Sequence, residues 1–160
     1  TGLRKNINDG ITAGTVQHID VGALAEETIF DQIEAFVDGI SEIYQHTAMP
    51  VCMSPKWVRA YFRDKRAQGF YDYKSDKDVN ANIDFTPQRV VALPSMSGTD
   101  DIFATPTANM IHLTKRSSGK NSFKIETLKR QVFFYTDWWE GVGFGIDGAV
   151  FAHHESHIGL

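Results

Sequence analysis

Arg89-Val-Val-Ala-Leu-Pro-Ser-Met-Ser-Gly-Thr-Asp-Asp-Ile-Phe-Ala-Thr-Pro-Thr-Ala-Asn-Met-Ile-His-Leu-Thr114 sets short apolar runs and punctuated connections in close succession. Val90 to Leu93 is a β-branched, apolar run of strand length, and Pro94 stops ladder pairing because it has no N–H to donate. Ser95 to Asp101 has turn composition. Ile102 and Phe103 resume apolar character, Thr105-Pro106 punctuates again, and Met110, Ile111 and Leu113 make a further short strand before a basic, serine-rich turn at Lys115 to Gly119. The stretch reads as scaffold, with no chemistry of its own.

Upstream of it, Pro50-Val51-Cys52-Met53 reads as a short buried strand running into Ser54-Pro55. Ser54 can cap with its hydroxyl and Pro55 suits the first helical position. The helix that follows buries Trp57, Val58, Tyr61 and Phe62, sends Arg59, Arg63, Lys65 and Arg66 outward or toward its C-terminal end, and stops at Gly69. From Glu26 to about Tyr44, Ile29, Ile33, Phe36, Val37, Ile40, Ile43 and Tyr44 recur at helical spacing, which predicts one amphipathic helix. Thr28 and Asp31 have capping-box spacing. Leu3, Ile7 and Ile11 share one face of a short helix or turn that Asn8-Asp9-Gly10 and Gly14 keep from continuing far. Thr15 to Val21 alternates as an edge strand or extended connection would, with His18 at the surface.

Downstream, Phe123 to Leu128 alternates cleanly and Gln131 to Trp139 continues with Val132, Phe133, Phe134, Tyr135, Trp138 and Trp139, so long antiparallel strands are expected. Asp147-Gly148 makes a tight turn before a short apolar strand at Ala149 to Ala152. These elements give an α+β architecture.

Composition narrows the function classes. A length of 160 residues suits one core, or a body with an appended lobe. With 42% hydrophobic and 22% charged residues the chain has ordinary globular composition, and its longest apolar runs are too short to span a bilayer. A net charge of −4 offers no global basic field to nucleic acid, and Arg59, Arg63, Lys65 and Arg66 read as a solvated helix face. The single Cys52 excludes an internal disulfide and reads as a small hydrophobe in a strand.

The remaining motifs are fragments. Asp76, Asp78 and Asn80 copy the first ligand spacings of a calcium loop, but Ala81 replaces the glycine of its sharp turn and Pro87 its bidentate glutamate. Gly141, Gly143, Gly145 and Gly148 lack the Lys-Ser/Thr and following helix of a phosphate cradle, and serve better as points where a strand bends or approaches another backbone. Asp31 and Glu34 belong to a solvated helix face. His153, His154 and His157 have zinc-like spacing, with only Glu155 as a nearby oxygen ligand, and read as adventitious. No residue is assigned as catalytic, cofactor-binding or metal-ligating.

The order of elements carries a resemblance. Gly2-Leu3-Arg4-Lys5, Ile29 to Ile43, Val51-Cys52-Met53-Ser54-Pro55-Lys56-Trp57, Val90-Val91-Ala92-Leu93-Pro94-Ser95-Met96, Ile102-Phe103-Ala104-Thr105-Pro106, Asn109-Met110-Ile111, Asp137, Gly141-Val142-Gly143-Phe144-Gly145 and Ala149-Val150-Phe151 follow one another in a familiar succession. Across nearly its whole length the chain resembles the second half of tailed-bacteriophage major capsid proteins of the Hong Kong ninety-seven type, most closely those of phages and prophages of gut Bacteroidetes. The resemblance implies a phage major capsid type fold, with residues 16–115 and 149–152 as apical domain. Residues 1–15 and 116–148 would be peripheral-domain segments and 153–160 a C-terminal tail. The family's N-terminal arm, extended loop and spine helix have no counterpart before Thr1, and no motif matches the crosslinking chemistry of some relatives.

The implied function is structural: a subunit assembling with other copies of itself into the icosahedral shell that encloses the genome. Scaffolding or portal proteins are further implied partners, with no sequence-specific nucleic-acid binding, no membrane, no cofactor and no enzymatic activity. Its place would be the virion capsid, and the host cytoplasm during assembly. Two other classes stay open: a small α+β enzyme, for which Asp100, Asp101 and His112 are the polar cluster, and a ligand- or partner-binding module using Trp138, Trp139 and Phe144. The segment alone is expected to fold as monomers or small oligomers without closing a shell.

Overall fold

The computed structural model describes residues 2–69, 82–114, 123–128, 131–136 and 140–159. It is a mixed α+β chain. A five-stranded sheet forms the centre, from β1 (Gln17–His18), β2 (Pro50–Met53), β3 (Arg89–Ala92), β4 (Ile102–Ala104) and the last strand, β9 (Phe151–His153). Its spatial order is β1-β9-β4-β2-β3, with β1/β9 and β2/β3 parallel and β9/β4 and β4/β2 antiparallel. Helix α1 (Leu3–Ala13) lies toward one face, and α2 (Ile29–Asp38) and α4 (Pro55–Ala67) cover the other.

The apolar runs are continuous because both faces are covered, so every side chain in the inner strands meets protein. Val51 and Met53 of β2, Ile102 and Ala104 of β4 and Phe151 of β9 pack with Ile29, Ile33 and Phe36 of α2 and Trp57, Val58 and Tyr61 of α4. The intervening Cys52, Phe103 and Ala152 point the other way, to Ile7 of α1, Val16, Met96 and Val150. Period-two alternation sorts one set of strands into two cores.

Helix α4 follows its sequence signals closely. Ser54 Oγ accepts the Lys56 N–H at 3.3 Å, Pro55 opens the helix, and Gly69 beyond its end sits at φ 88°, in the left-handed region that favours glycine. One expectation fails there: Lys65 is not outward but buried, with its ammonium 2.8 Å from Asp84 Oδ1. The long helix predicted to Tyr44 ends at Asp38, and the short helix α3 (Glu42–Gln45) follows a break at Gly39 to Ser41. A Cβ on Gly39 would lie 2.7 Å from Ile19 Cγ2, so a residue distant in sequence requires glycine at the break.

The capping box expected of Thr28 and Asp31 does not form, because the Thr28 side chain makes no cap. The buried carboxylate of Asp64, on α4, takes the Phe30 N–H at 2.9 Å instead. Helix α1 runs straight through Asn8-Asp9-Gly10 rather than stopping there. Gly10 is where Val16 approaches, within 2.5 Å of where a Cβ would stand. Gly14, at φ 71°, ends the helix as expected.

Two further strand pairs complete the described fold. β5 (Met110–Thr114) pairs antiparallel with β8 (Glu140–Phe144), and β6 (Phe123–Leu128) with β7 (Gln131–Thr136) in six matched positions. The segment Asp147–Ala149 forms a 3-10 turn, so β9 starts at Phe151 and extends through His153. Residues 153–160, set apart from the sequence as a tail, thus begin inside a buried central strand. Among the described residues no helix is long and apolar enough to cross a membrane.

Candidate functional site

Two features could serve function: an apolar surface on the two-stranded pairs and a polar corner where α1, β1 and β9 meet. The first follows from strand alternation without a covering layer among the described residues. In β6 and β7, Ile125 faces Phe134 and Thr127 faces Val132 on one side of the ribbon, while Glu126 faces Phe133 on the other beside Tyr135. Phe133 and Tyr135 stack at 6.4 Å. Both sides therefore carry apolar groups, yet Phe134 is 64% exposed and Ile125 56%. A two-stranded hairpin is marginal in water by itself, so a ribbon of this composition is suited to being covered.

In the β5/β8 pair, Ile111 and Leu113 stand opposite Gly143 and Gly141. A Cβ on Gly145 would come within 3.1 Å of Ile111 Cδ1, so close packing, not phosphate binding, explains that glycine. Leu113 is 66% exposed. Both strands leave the body side by side, pinned by a buried Asn109. Its Nδ2 donates to Thr105 Oγ1 and to the Ile146 carbonyl, each at 2.9 Å, and its Oδ1 accepts the Ile146 N–H at 2.7 Å. Thr105 passes the chain on to the Ala149 carbonyl at 3.0 Å. Asn6 of α1 adds a bond from Nδ2 to the Val142 carbonyl at 2.9 Å.

The polar corner is built around Asp101 and the histidines. Arg4 Nε donates to Asp101 Oδ2 and Arg4 Nη2 to Glu155 Oε1, while the Glu155 N–H donates to Asp101 Oδ1 at 3.1 Å. His154 Nε2 is 3.8 Å from Asp101 Oδ2, and His153 Nδ1 is 3.8 Å from Asp20 Oδ1. Burial lowers the basicity of His18, His153 and His154, with the facing carboxylates opposing it. A largely apolar cavity of about 340 Å³ adjoins, lined among others by Leu3, Ile7, Met96 and Phe103 as well as His153 and His154.

The sequence-level candidates are partly dispersed by this geometry. Asp100 accepts the Trp57 indole N–H at 2.8 Å, Asp101 is committed to Arg4 and Glu155, and His112 lies on β5 with Nε2 3.7 Å from Glu140. The three do not form one cluster. His18 is only partly exposed and its Nε2 is buried, contrary to the surface position expected. His153, His154 and His157 do have oxygen neighbours beyond Glu155, namely Asp20, Asp101 and Asn8, but no group of three ligating side chains fit to hold a metal occurs among the described residues. Burial pushes the Cys52 thiol up to about 12, which leaves it protonated and unreactive at neutral pH. Phe144 is half-buried against the second core. Trp138, Trp139, Asp76, Asp78, Asn80 and the turn at Lys115 to Gly119 lie outside the described residues.

Sequence reasoning passed over Arg4, Asp64 and Asn109. Each partner lies far along the chain, and an isolated asparagine or arginine carries no periodic signal. Comparison of the chain with family models, with curated proteins and with solved structures finds no match.

Proposed function

We propose that the chain is a structural subunit of a phage or prophage capsid, contributing an apical body and part of a peripheral domain to a shell built by repeated contacts between copies. The observation that carries this reading is the apolar surface on β6/β7 and β5/β8, continuous in chain order with a well-covered body. Such strands gain cover when subunits overlap, which is the work of a lattice subunit rather than of a turnover catalyst. The element order quoted above supports the same reading through the capsid resemblance.

The test is assembly. The intact reading frame is expected to encode an upstream hairpin and long helix and to yield capsid-sized particles by electron microscopy. The 160-residue chain alone should scatter light as monomers or small oligomers. Regular shells from this chain alone would remove the need for upstream segments, and an intact frame giving only monomers would overturn the shell reading.

A further inference from the structure

Four of the six histidines meet at the polar corner. His18 belongs to β1, His153 ends β9, and His154 and His157 bracket the turn that follows. Ring centroids lie 5.7 Å apart for His154 and His157, 5.8 Å for His18 and His157, and 6.2 Å for the stacked His18 and His153. Hydrogen bonds decide what each ring can carry. His154 Nδ1 accepts the Ser156 N–H at 3.2 Å and so caps the turn Glu155–His157, and His153 Nδ1 accepts the Val21 N–H at 3.5 Å. A ring nitrogen that accepts holds no proton, so both rings are neutral with the proton on Nε2.

A second proton on either ring would go to Nδ1 and set donor against donor. The Nε2 atoms of His18 and His153 are buried without a hydrogen-bond partner, and at both rings burial outweighs Asp20, and at His153 also the Ile19 backbone, which favour the charged form. We propose that this corner is a proton-operated latch: the neutral imidazoles hold residues 154–159 and the first turns of α1 on the sheet, and their protonation releases both while the α2/α4 side stays folded. His157 Nε2 meets Asn8 Oδ1 of α1 at 2.9 Å, and Arg4 meets Glu155, so helix and turn are held together.

The facing charges are limited and already engaged. α1 contributes Arg4 and the Lys5/Asp9 pair, the stretch after β1 contributes Asp20, the residue before β4 is Asp101, and the turn itself brings Glu155. Asp20 accepts the Gly22 and Gly159 N–H groups at 2.8 and 2.7 Å, and Asp101 is held by Arg4 and Glu155. These carboxylates soften the first protonation without matching several imidazolium ions.

The sign follows from burial. Rings whose folded basicity is lowered let the unfolded segment take up protons first, so the latch is fully closed above about pH 6.5 and opens as pH falls below that. Asp20 is held below the usual carboxylate range by its two backbone N–H partners, so it keeps its charge throughout this window.

Amide exchange, corrected for its intrinsic pH dependence, tests the latch on the 160-residue chain between about pH 7.5 and about pH 5.5. Protection of the Ser156 and His157 amides and of α1 is expected to fall up to about tenfold, the factor by which a free imidazole favours its proton one pH unit below its ordinary value, while α2 and α4 keep theirs. His154→Asn keeps an acceptor oxygen near the place of Nδ1 but cannot titrate, and should flatten the response. An undiminished response in that variant, or equal loss in α2 and α4 of the wild type, would overturn the latch. The wild-type titration also stands by itself: loss coinciding with the ring-proton shifts of His153 and His154 supports the latch, and loss before those rings titrate overturns it.

Discussion

The five-stranded body and the two-stranded ribbons use the same residue types to opposite effect. In the body, Phe36, Phe103 and Phe151 are buried because helices or packed turns close both faces of the sheet. In the ribbons, Phe133 and Leu113 remain exposed because alternation directs apolar groups to faces without a covering layer among the described residues. Hydrophobicity of a strand therefore says that a face is to be covered, and the layer count says whether its own chain covers it.

The largest expected effect that sharpens this contrast is Phe36→Ala, which should cost about 3–5 kcal/mol in urea unfolding because a fully buried ring leaves a cavity. Asn109→Leu, at the root of β5 and β8, should cost about 2–3 kcal/mol by orphaning the Ile146 N–H and carbonyl. It should also loosen amide protection in β5 and β8 more than in β2, and equal loosening would break the distinction between body and ribbon.

Asp64→Ala removes the acceptor for the Phe30 N–H and should lower stability by about 1–2 kcal/mol, in the range of a lost helix cap. Thr28→Ala, by contrast, should stay within about 0.5 kcal/mol, since its side chain caps nothing. Thermal or urea unfolding of the two variants side by side decides which residue caps α2.

Small in stability for its size is the pair Phe134→Ser with Ile125→Ser on one side of β6/β7. Unfolding should shift by no more than about 0.5 kcal/mol per exposed site. Association measured by light scattering should fall in the same variant. A large loss of stability would mean that the ribbon is packed against its own chain.

Local signals in the sequence carried much of this fold. Ser54-Pro55 and the Trp57, Val58, Tyr61 stripe announce α4, and the clean alternation at Phe123 to Leu128 announces β6. What escaped depends on distant contacts. Ile40 and Ile43 prolong the helical period past Gly39, where the helix ends at a position that Ile19 leaves no room to fill with a side chain. His153 looks like the start of a polar tail, but register against Ile102 carries it into the centre of a sheet. The α2 cap is supplied from 34 residues away, beyond any local window. The ribbon aromatics were visible in the alternation, while their exposure belongs to the architecture.

The position of β9 also sets a timetable for synthesis. This strand lies between β1 and β4, though both are made long before it. Until residue 153 has left the ribosome, β4 offers a bare edge, β1 has no neighbour to pair with, and the seats of Phe151 and Ala152 in the two cores stand empty. A nascent chain stalled upstream would hold a sheet with an open slot, able to accept a β9 strand from a second polypeptide until its own arrives.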